Sequence, residues 1–310
     1  MDGRILVATD GTGASLGALR VAAALAERGG EPPIVVSVAE PIALEGSVLY
    51  GMPGQALALC DRPEEQVRDV VEEQLRALGA PAAGWRPEVQ IGAVAPTIAR
   101  LAEDRGAGIV LLGRGRHSRV ERFFGGDTTL NVARLSRVPV LAVEPDAAGL
   151  PRRALAAVDF SEYSRDAVRT LLDLLADDAA VRLVHASWPV SGAEGDDWMV
   201  TYLAGARARL AELAASLQPR RGAWIETEVL EGPPTAGLLA LAERMDADVI
   251  AAGSHGYGFF TRMVMGSVST RLLRQAPCSV LVAPPRAPSA ELRQARAARL
   301  ALPEPAAAGV

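Results

Sequence analysis

The chain repeats itself, and this internal repeat constrains the fold more than any other feature. Asp10 and Asp159 each follow a short apolar run, at an offset of 149 residues. From Glu88 onward the two halves align without gaps at an offset of 140, so that Gly113 matches Gly253. The change from 149 to 140 places nine extra residues in the first half, most simply within residues 40–62. A repeat of this length predicts two copies of one domain of about 140 residues.

The repeat also predicts where the domains begin and end. We expect one domain over residues 1–145 and a second over residues 151–286. Residues 287–310 are rich in alanine and arginine and end in prolines and small residues. We expect this segment to be a flexible tail, which is common for a terminus of this composition. For residues 40–62, a loop lying against its own domain is favoured, and a lid over a site is the alternative.

Each copy alternates short apolar runs with segments of helical periodicity. In the first copy the runs cover residues 4–9, 34–39, 87–91, 108–112 and 140–143, and one intervening helix is expected over residues 96–105. Runs that are apolar on both faces are typical of a parallel sheet covered by helices on both sides. We therefore predict an α/β fold with two repeated, doubly wound, Rossmann-like domains, each with a five-stranded parallel sheet. Such sheets bind ligands beyond the carboxyl ends of their strands.

The second copy carries a pattern that suits an anion. An apolar run ends at Gly253, Gly256 follows, and Gly266-Ser267 opens the next helical segment, with the spacing Gly-x2-Gly-x9-Gly-Ser. Glycines let the backbone approach a phosphate, and a helix start attracts negative charge. If the strands that precede Asp159 and Gly253 are neighbours, one crevice holds a carboxylate opposite the glycine loop. The local pattern alone also fits a glycine-rich connection that binds no ligand.

On these residues the chain resembles a tandem universal stress protein. The glycine motif is met in full, and the segments 158–162 and 183–186 also match the family. The resemblance covers residues 1–145 and 151–285. It implies an adenine-nucleotide alpha-hydrolase-like fold, ATP as the ligand, with or without Mg²⁺, and a regulatory role in the stress response. It also implies that the two copies pair through their last strands as a pseudo-dimer.

The resemblance assigns roles by position in the second copy. It implies that Asp159 lies near the ribose and a nucleotide-bound metal ion, and that Val158 and Ala186 meet the adenine. The residues that it places around the phosphates are Gly253, His255, Gly256, Gly266, Ser267, Val268 and Ser269.

The first copy departs from the motif. Asp10, Gly113 and Gly126 are kept, but Arg116 replaces the second glycine and Asp127 replaces the serine. A carboxylate at the helix start would repel phosphate, although Asp127 could instead cap its own helix or pair with Arg116. We therefore predict ATP binding in the second copy and weak or absent binding in the first.

Composition and charge limit the partners and the compartment. The net charge of −5 argues against nucleic acid and anionic membranes. With no long apolar stretch and no secretion signal, a cytoplasmic protein is expected. Two cysteines make no disulfide framework, and Cys278 is predicted to be a core residue. His185 is predicted to be a strand-end histidine with its hydrogen bonds satisfied. Arg114 belongs to a basic run that could meet an acidic partner, and a solvated loop is the favoured interpretation.

Three functions stay open at this level. The first is a regulatory ATP-binding module, which could also form a homodimer. The second is a slow ATPase in which Asp159 holds a metal ion. The third is an interaction protein that works without nucleotide. The sequence has no Gly-x4-Gly-Lys-Ser/Thr loop and no identifiable catalytic base, so a binding module is favoured over an enzyme.

Overall fold

The structure is a computed structural model of the 310-residue chain. It describes residues 3–29, 31–40, 63–115, 128–187, 196–219, 221–255 and 265–284. Several sequence predictions therefore fall outside the described residues. They concern most of the 40–62 loop, the tail at 287–310, and the motif positions Arg116, Gly126, Asp127 and Gly256.

The described part of the first half alternates strand and helix as expected. Its elements are β1 (Arg4–Ala8), α1 (Leu16–Gly29), β2 (Ile34–Ala39), α2 (Pro63–Leu78), β3 (Pro87–Ile91), α3 (Val94–Asp104), β4 (Ala107–Gly113), α4 (Thr128–Leu135) and β5 (Val140–Val143). Helix α3 begins two residues before the expected Pro96, because proline is tolerated within the first turn of a helix.

The second half repeats this order. Its elements are β6 (Arg153–Ala157), α5 (Glu162–Leu174), β7 (Ala180–Ser187), α6 (Asp196–Ser216), β8 (Trp224–Glu231), α7 (Pro234–Met245), β9 (Val249–Gly253), α8 (Ser267–Gln275) and β10 (Ser279–Ala283). The start of helix α5 is fixed by a side-chain cap. The Ser161 hydroxyl accepts a hydrogen bond from the Ser164 N–H at 3.2 Å and caps the first turn.

None of the described helices is long and apolar enough to span a membrane.

The ten strands form one continuous sheet in the order β3-β2-β1-β4-β5-β10-β9-β6-β7-β8. Within each half the strands are parallel, and the order reverses between the first and fourth strands, as in a doubly wound sheet. The last strands β5 and β10 pair antiparallel, with Leu141 opposite Leu281. The predicted fold class is therefore confirmed, and the expected pairing through the last strands joins the two five-stranded halves into a single sheet.

Two apolar clusters lie on opposite faces of this sheet, and both cross the seam between β5 and β10. One packs α1, α2, α5 and α6 against the sheet, with Leu19 and Leu171 fully buried. The other packs α3, α4, α7 and α8, and it includes Cys278. Burial raises the pKa of the Cys278 thiol to about 12, so this residue is neutral at physiological pH and is a core residue, as predicted. The shared clusters make the two halves one structural unit.

Arginines of the first half reach across the seam. Arg28 Nη1 donates to the Leu175 carbonyl oxygen at 2.7 Å, beyond the end of α5. Arg114 pairs with Glu144 at 2.7 Å, and its side chain is only 13% exposed. The interpretation of Arg114 as part of a solvated basic loop is therefore wrong, because the side chain turns inward onto the neighbouring half.

Candidate functional site

The carboxyl ends of β6, β7 and β9 surround a cavity of about 170 Å³. Nine of the ten residues that the sequence assigned to the second-half site line it, and the tenth, Gly256, lies outside the described residues. The described residues that line it are Ala157, Val158, Asp159, Ser164, Val184, His185, Ala186, Pro234, Leu238, Ala252, Gly253, His255, Gly266, Ser267, Val268 and Ser269.

The cavity lies beside β6 and β9, the two strands that the sequence analysis expected to be neighbours if Asp159 and Gly253 share one crevice. Strand β6 pairs in parallel with β9, with Ala156 opposite Ala251. The carboxylate that follows β6 and the glycine that ends β9 therefore meet at the same edge of the sheet. This is the topological switch point, at which open α/β sheets bind ligands.

Asp159 is held in place by the turn that follows it. Its Oδ1 accepts hydrogen bonds from the Ser161 N–H at 3.0 Å and the Ser161 hydroxyl at 2.5 Å. The carboxylate is half-buried at the rim of the cavity. Because the same serine caps α5, the orientation of this carboxylate is fixed by the start of that helix.

Gly253 is required by packing as well as by its place in the cavity. A Cβ atom at this position would lie 2.8 Å from Tyr163 Cβ and 3.0 Å from the Ser164 nitrogen. At the matching position of the first half, a Cβ on Gly113 would lie 2.3 Å from the Ala14 carbonyl oxygen. Both glycines let a strand end approach the first turn of a helix closely. This glycine alone therefore does not indicate a ligand.

The start of α8 is fastened to the end of β9. The Gly266 N–H donates to the Ser254 carbonyl oxygen at 2.7 Å, and the Ser269 hydroxyl donates to the Gly266 carbonyl oxygen at 3.0 Å. The N-cap residue is glycine, so no side chain caps the first turn, and no acidic residue lies in it. Backbone N–H groups and the positive end of the helix dipole therefore face the cavity rim, an arrangement that attracts anions.

His255 lines the cavity and carries a nitrogen without a hydrogen-bond partner among the described residues. Its Nδ1 lies 2.9 Å from the Ser254 hydroxyl, and its ring lies 5.4 Å from the Tyr163 ring. Its Nε2 is buried and has no hydrogen-bond partner among the described residues. An unpaired buried polar group costs about 1–3 kcal/mol. A ligand group that bonds this nitrogen would remove that cost.

His185 lines the cavity, and its ring braces the loop that carries Asp159. Its Nδ1 lies 2.8 Å from the Val158 carbonyl oxygen and its Nε2 lies 3.1 Å from the Tyr202 hydroxyl, so the predicted satisfied histidine is confirmed. The centroids of the Phe160 and His185 rings lie 4.7 Å apart, and the Arg209 guanidinium lies 4.0 Å from the centroid of the Phe160 ring. Phe160 has a left-handed backbone with φ of 64°, which is costly for a bulky residue. These contacts hold the loop that carries Asp159.

The first half holds its matching loop with a polar network instead. Gln74 Oε1 accepts from the Thr9 hydroxyl at 2.6 Å, and Gln74 Nε2 donates to the Thr12 carbonyl oxygen at 2.6 Å and to the Ser15 hydroxyl at 3.0 Å. Asp10 Oδ1 accepts from the Thr12 N–H at 3.0 Å, as Asp159 does from Ser161, but Asp10 is exposed.

Sequence patterns missed the apolar wall of the cavity. Pro234 and Leu238, at the start of α7, line it together with Val184. The helical periodicity of α7 predicts a buried face. It does not predict that the first turn of the helix lines the cavity. Among the described residues, no group of three or more His, Cys, Asp or Glu side chains could hold a metal ion by itself.

Comparison with known proteins places this chain. The model of the Universal stress protein family matches it twice, at residues 1–144 and 151–284. The chain belongs to the universal stress protein family. The duplicated match agrees with the internal repeat, and it makes this protein a tandem universal stress protein.

Its relatives carry the same family name. A universal stress protein of Methanocaldococcus jannaschii is 41% identical over 61 residues, which cover 20% of this chain and 36% of that protein. A universal stress protein of Mycolicibacterium smegmatis is 26% identical over 306 residues, covering 91% of this chain and 97% of its own. A crystal structure of a universal stress protein from Archaeoglobus fulgidus has a TM-score of 0.61 at 22% identity. The match covers 91% of this chain and 96% of that one. That structure supports the fold of the whole tandem chain.

Proposed function

We propose that this universal stress protein is a regulatory ATP-binding module whose nucleotide site lies in the second half. The observation that carries the proposal is the cavity at the β6, β7 and β9 strand ends. It combines the half-buried carboxylate of Asp159, the uncapped start of α8 and the His255 Nε2, which has no hydrogen-bond partner in the part of the chain that the structure describes. These are groups that suit ribose hydroxyls and phosphates.

The inner part of the cavity suits the base. Val184, Pro234 and Leu238 form an apolar wall, and the backbone at Val158 and Ala186 supplies polar edges. We assign adenine to this part. The volume of about 170 Å³ lies below the roughly 300–1,000 Å³ of drug-sized ligand sites. The protein would therefore enclose only part of a nucleotide, and the phosphates would extend along the rim.

The rim suits the phosphates. The first turn of α8 presents its backbone N–H groups beside Ser267, Val268 and Ser269. His255 adds a ring nitrogen beside them. When Nε2 carries a hydrogen atom, this N–H can donate a hydrogen bond to a phosphate oxygen. We therefore assign the phosphates to Gly253, His255, Gly266 and the start of α8, with Gly256 included from the sequence motif.

Asp159 fits a magnesium ion that arrives with the nucleotide. Mg²⁺ in such sites is held by one or two carboxylates, phosphate oxygens and water, and it does not need a cage of protein ligands. One carboxylate at the rim, opposite the α8 start, meets this requirement. The ion would screen the phosphate charge, and Asp159 would orient it or accept hydrogen bonds from the ribose hydroxyls.

Titration of ATP against the full-length protein by calorimetry, with and without Mg²⁺, tests the proposal. We expect one site per chain and a thermal shift that corresponds to about 2.7 kcal/mol at an ATP concentration near 100 times Kd. A single-turnover phosphate-release assay should return intact ATP. The absence of heat and of any thermal shift at millimolar ATP would support a nucleotide-independent interaction protein instead.

Quaternary state and compartment belong to the proposal as well. Native mass spectrometry of the purified protein should show whether two chains associate, together with the nucleotide that they retain. Fractionation of cells should recover the protein in the cytoplasmic fraction.

A further inference from the structure

Arg114 caps a turn that belongs to the other half of the molecule. It directly follows β4, and its Nη1 lies 2.6 Å from the Ala276 carbonyl oxygen and 2.8 Å from the Cys278 carbonyl oxygen. The same nitrogen lies 2.7 Å from Glu144 Oε1, and both side chains of this ion pair are almost buried. A charged donor with three close oxygen atoms makes this contact strong and specific.

The matching turn in the first half caps itself. Ser136 Oγ donates to the Val138 carbonyl oxygen at 2.7 Å and accepts from the Val138 N–H at 3.1 Å. At an offset of 140 residues, Ser136 corresponds to Ala276, which has no hydroxyl group. The second-half turn has therefore lost its local cap, and Arg114 takes its place.

This turn ends the helix whose start faces the cavity. Helix α8 runs from Ser267 to Gln275, which is about 13 Å at the usual 1.5 Å rise per residue. A cation at the carboxyl end of a helix stabilises it through the helix dipole. Because a helix this short behaves as one rigid piece, contacts that fix its end also fix the placement of its first turn.

We propose that Arg114 of the first half is a positioning residue for phosphate binding in the second half. The inference rests on the proposed function, since it assumes that the second half binds ATP through the start of α8. It gives the first half a contribution to the site that does not require a nucleotide of its own.

The experiment compares ATP with adenosine in full-length protein that carries Arg114→Met together with Glu144→Gln. Removing both members of the pair leaves no unpaired buried carboxylate and keeps the net charge. We expect ATP to bind about threefold to thirtyfold more weakly. Adenosine affinity should not change, because adenosine has no phosphate to contact α8. As a matched control, Arg153→Met removes ion pairs with Asp246 and Asp248 at the amino end of β6, and it should leave both affinities unchanged.

A rescue variant separates position from charge. Adding Ala276→Ser to the double variant copies the cap that Ser136 provides in the first half, and ATP affinity should rise again. ATP affinity that stays low after this rescue would overturn the inference, and so would equal weakening of ATP and adenosine or no weakening of either. If wild-type protein binds neither ligand, the proposed function itself is wrong, and the inference falls with it. If wild-type protein binds ATP but the variants do not alter the ATP-to-adenosine ratio, only the inference is wrong.

Discussion

The two halves of the molecule hold the same aspartate-bearing loop by different chemistry. In the first half the Gln74 amide bonds to Thr9, Thr12 and Ser15. In the second half the His185 ring bonds to the Val158 carbonyl oxygen and packs on Phe160. Both solutions anchor the loop to the same face of the sheet. The fold therefore needs the loop to be fixed, and it does not dictate which side chains do so.

The edge opposite the loop shows which features the fold does demand. Gly113 and Gly253 both allow close packing of a strand end on a helix start, so this glycine is kept for the fold. The residues that follow this glycine differ between the halves. Arg114 of the first half turns into the seam, whereas its counterpart Ser254 in the second half contacts the start of α8. The second half has further features beyond this glycine, among them the contact of Ser254 with the start of α8. The first half folds without these features, so they are the ones that suggest a ligand.

The largest expected effect on ATP affinity comes from replacing Ser267, at the start of α8, by aspartate, the residue that the first half carries at the matching position 127. Ser267→Asp places a carboxylate beside the proposed phosphates, where two like charges about 4 Å apart repel by several kcal/mol at an effective dielectric constant of about 20. We expect ATP affinity to fall at least about 100-fold, a change of about 2.7 kcal/mol.

Adenosine affinity and thermal stability should not fall in Ser267→Asp, because an acidic residue in the first turn favours the helix. ATP binding at the wild-type affinity in this variant would break the assignment of the phosphates to α8.

The two packing glycines separate fold from site. Alanine at Gly113 or Gly253 forces backbone to shift, because the added Cβ would lie under 3.0 Å from neighbouring atoms. Each substitution should cost about 1–3 kcal/mol of unfolding free energy, measured by urea denaturation. Only Gly253→Ala should also weaken ATP binding. An equal loss of ATP affinity in Gly113→Ala would contradict the asymmetry between the halves.

His255 offers a smaller and more selective test. His255→Phe keeps an aromatic ring beside Tyr163 and removes the Nε2, for which the described residues offer no hydrogen-bond partner. ATP affinity should fall at least about tenfold, since a hydrogen bond to a charged group is worth about 1.5–3 kcal/mol. The melting temperature of the ligand-free protein should change little. The lost bond to the Ser254 hydroxyl and the removal of an unsatisfied nitrogen have opposite effects on stability. Unchanged ATP affinity would assign this nitrogen no ligand.

The smallest effect at neutral pH is expected from Cys278→Val, which copies Val138 of the first half. The folded thiol has a pKa of about 12, above its ordinary value of 9.0, so the folded state keeps its proton while the unfolded state loses it. This contribution to stability is complete below pH 9 and is lost as the pH rises towards 12. Urea denaturation should therefore show that wild type loses stability more steeply than Cys278→Val above pH 9. Parallel pH profiles would show that the thiol ionises equally in both states.

Much of the fold followed from the sequence because it depends on local pattern and on the repeat. Apolar runs located the strands, and the adjacency of β6 and β9 brought Asp159 and Gly253 to one edge, as expected. The cross-seam contact of Arg114 could not be predicted, since it depends on where a side chain points between two halves. The apolar wall at Leu238 and the burial of the His255 Nε2 likewise depend on packing between elements far apart in the chain.

Stoichiometry tests the central claim most directly. Calorimetric titration of full-length protein with ATP and Mg²⁺ should give one site per chain. Ser267→Asp should weaken ATP binding at this site at least about 100-fold, and Asp10→Asn in the first half should leave it unchanged. Two sites of equal affinity would contradict the account, as would a single site that survives Ser267→Asp and disappears with Asp10→Asn.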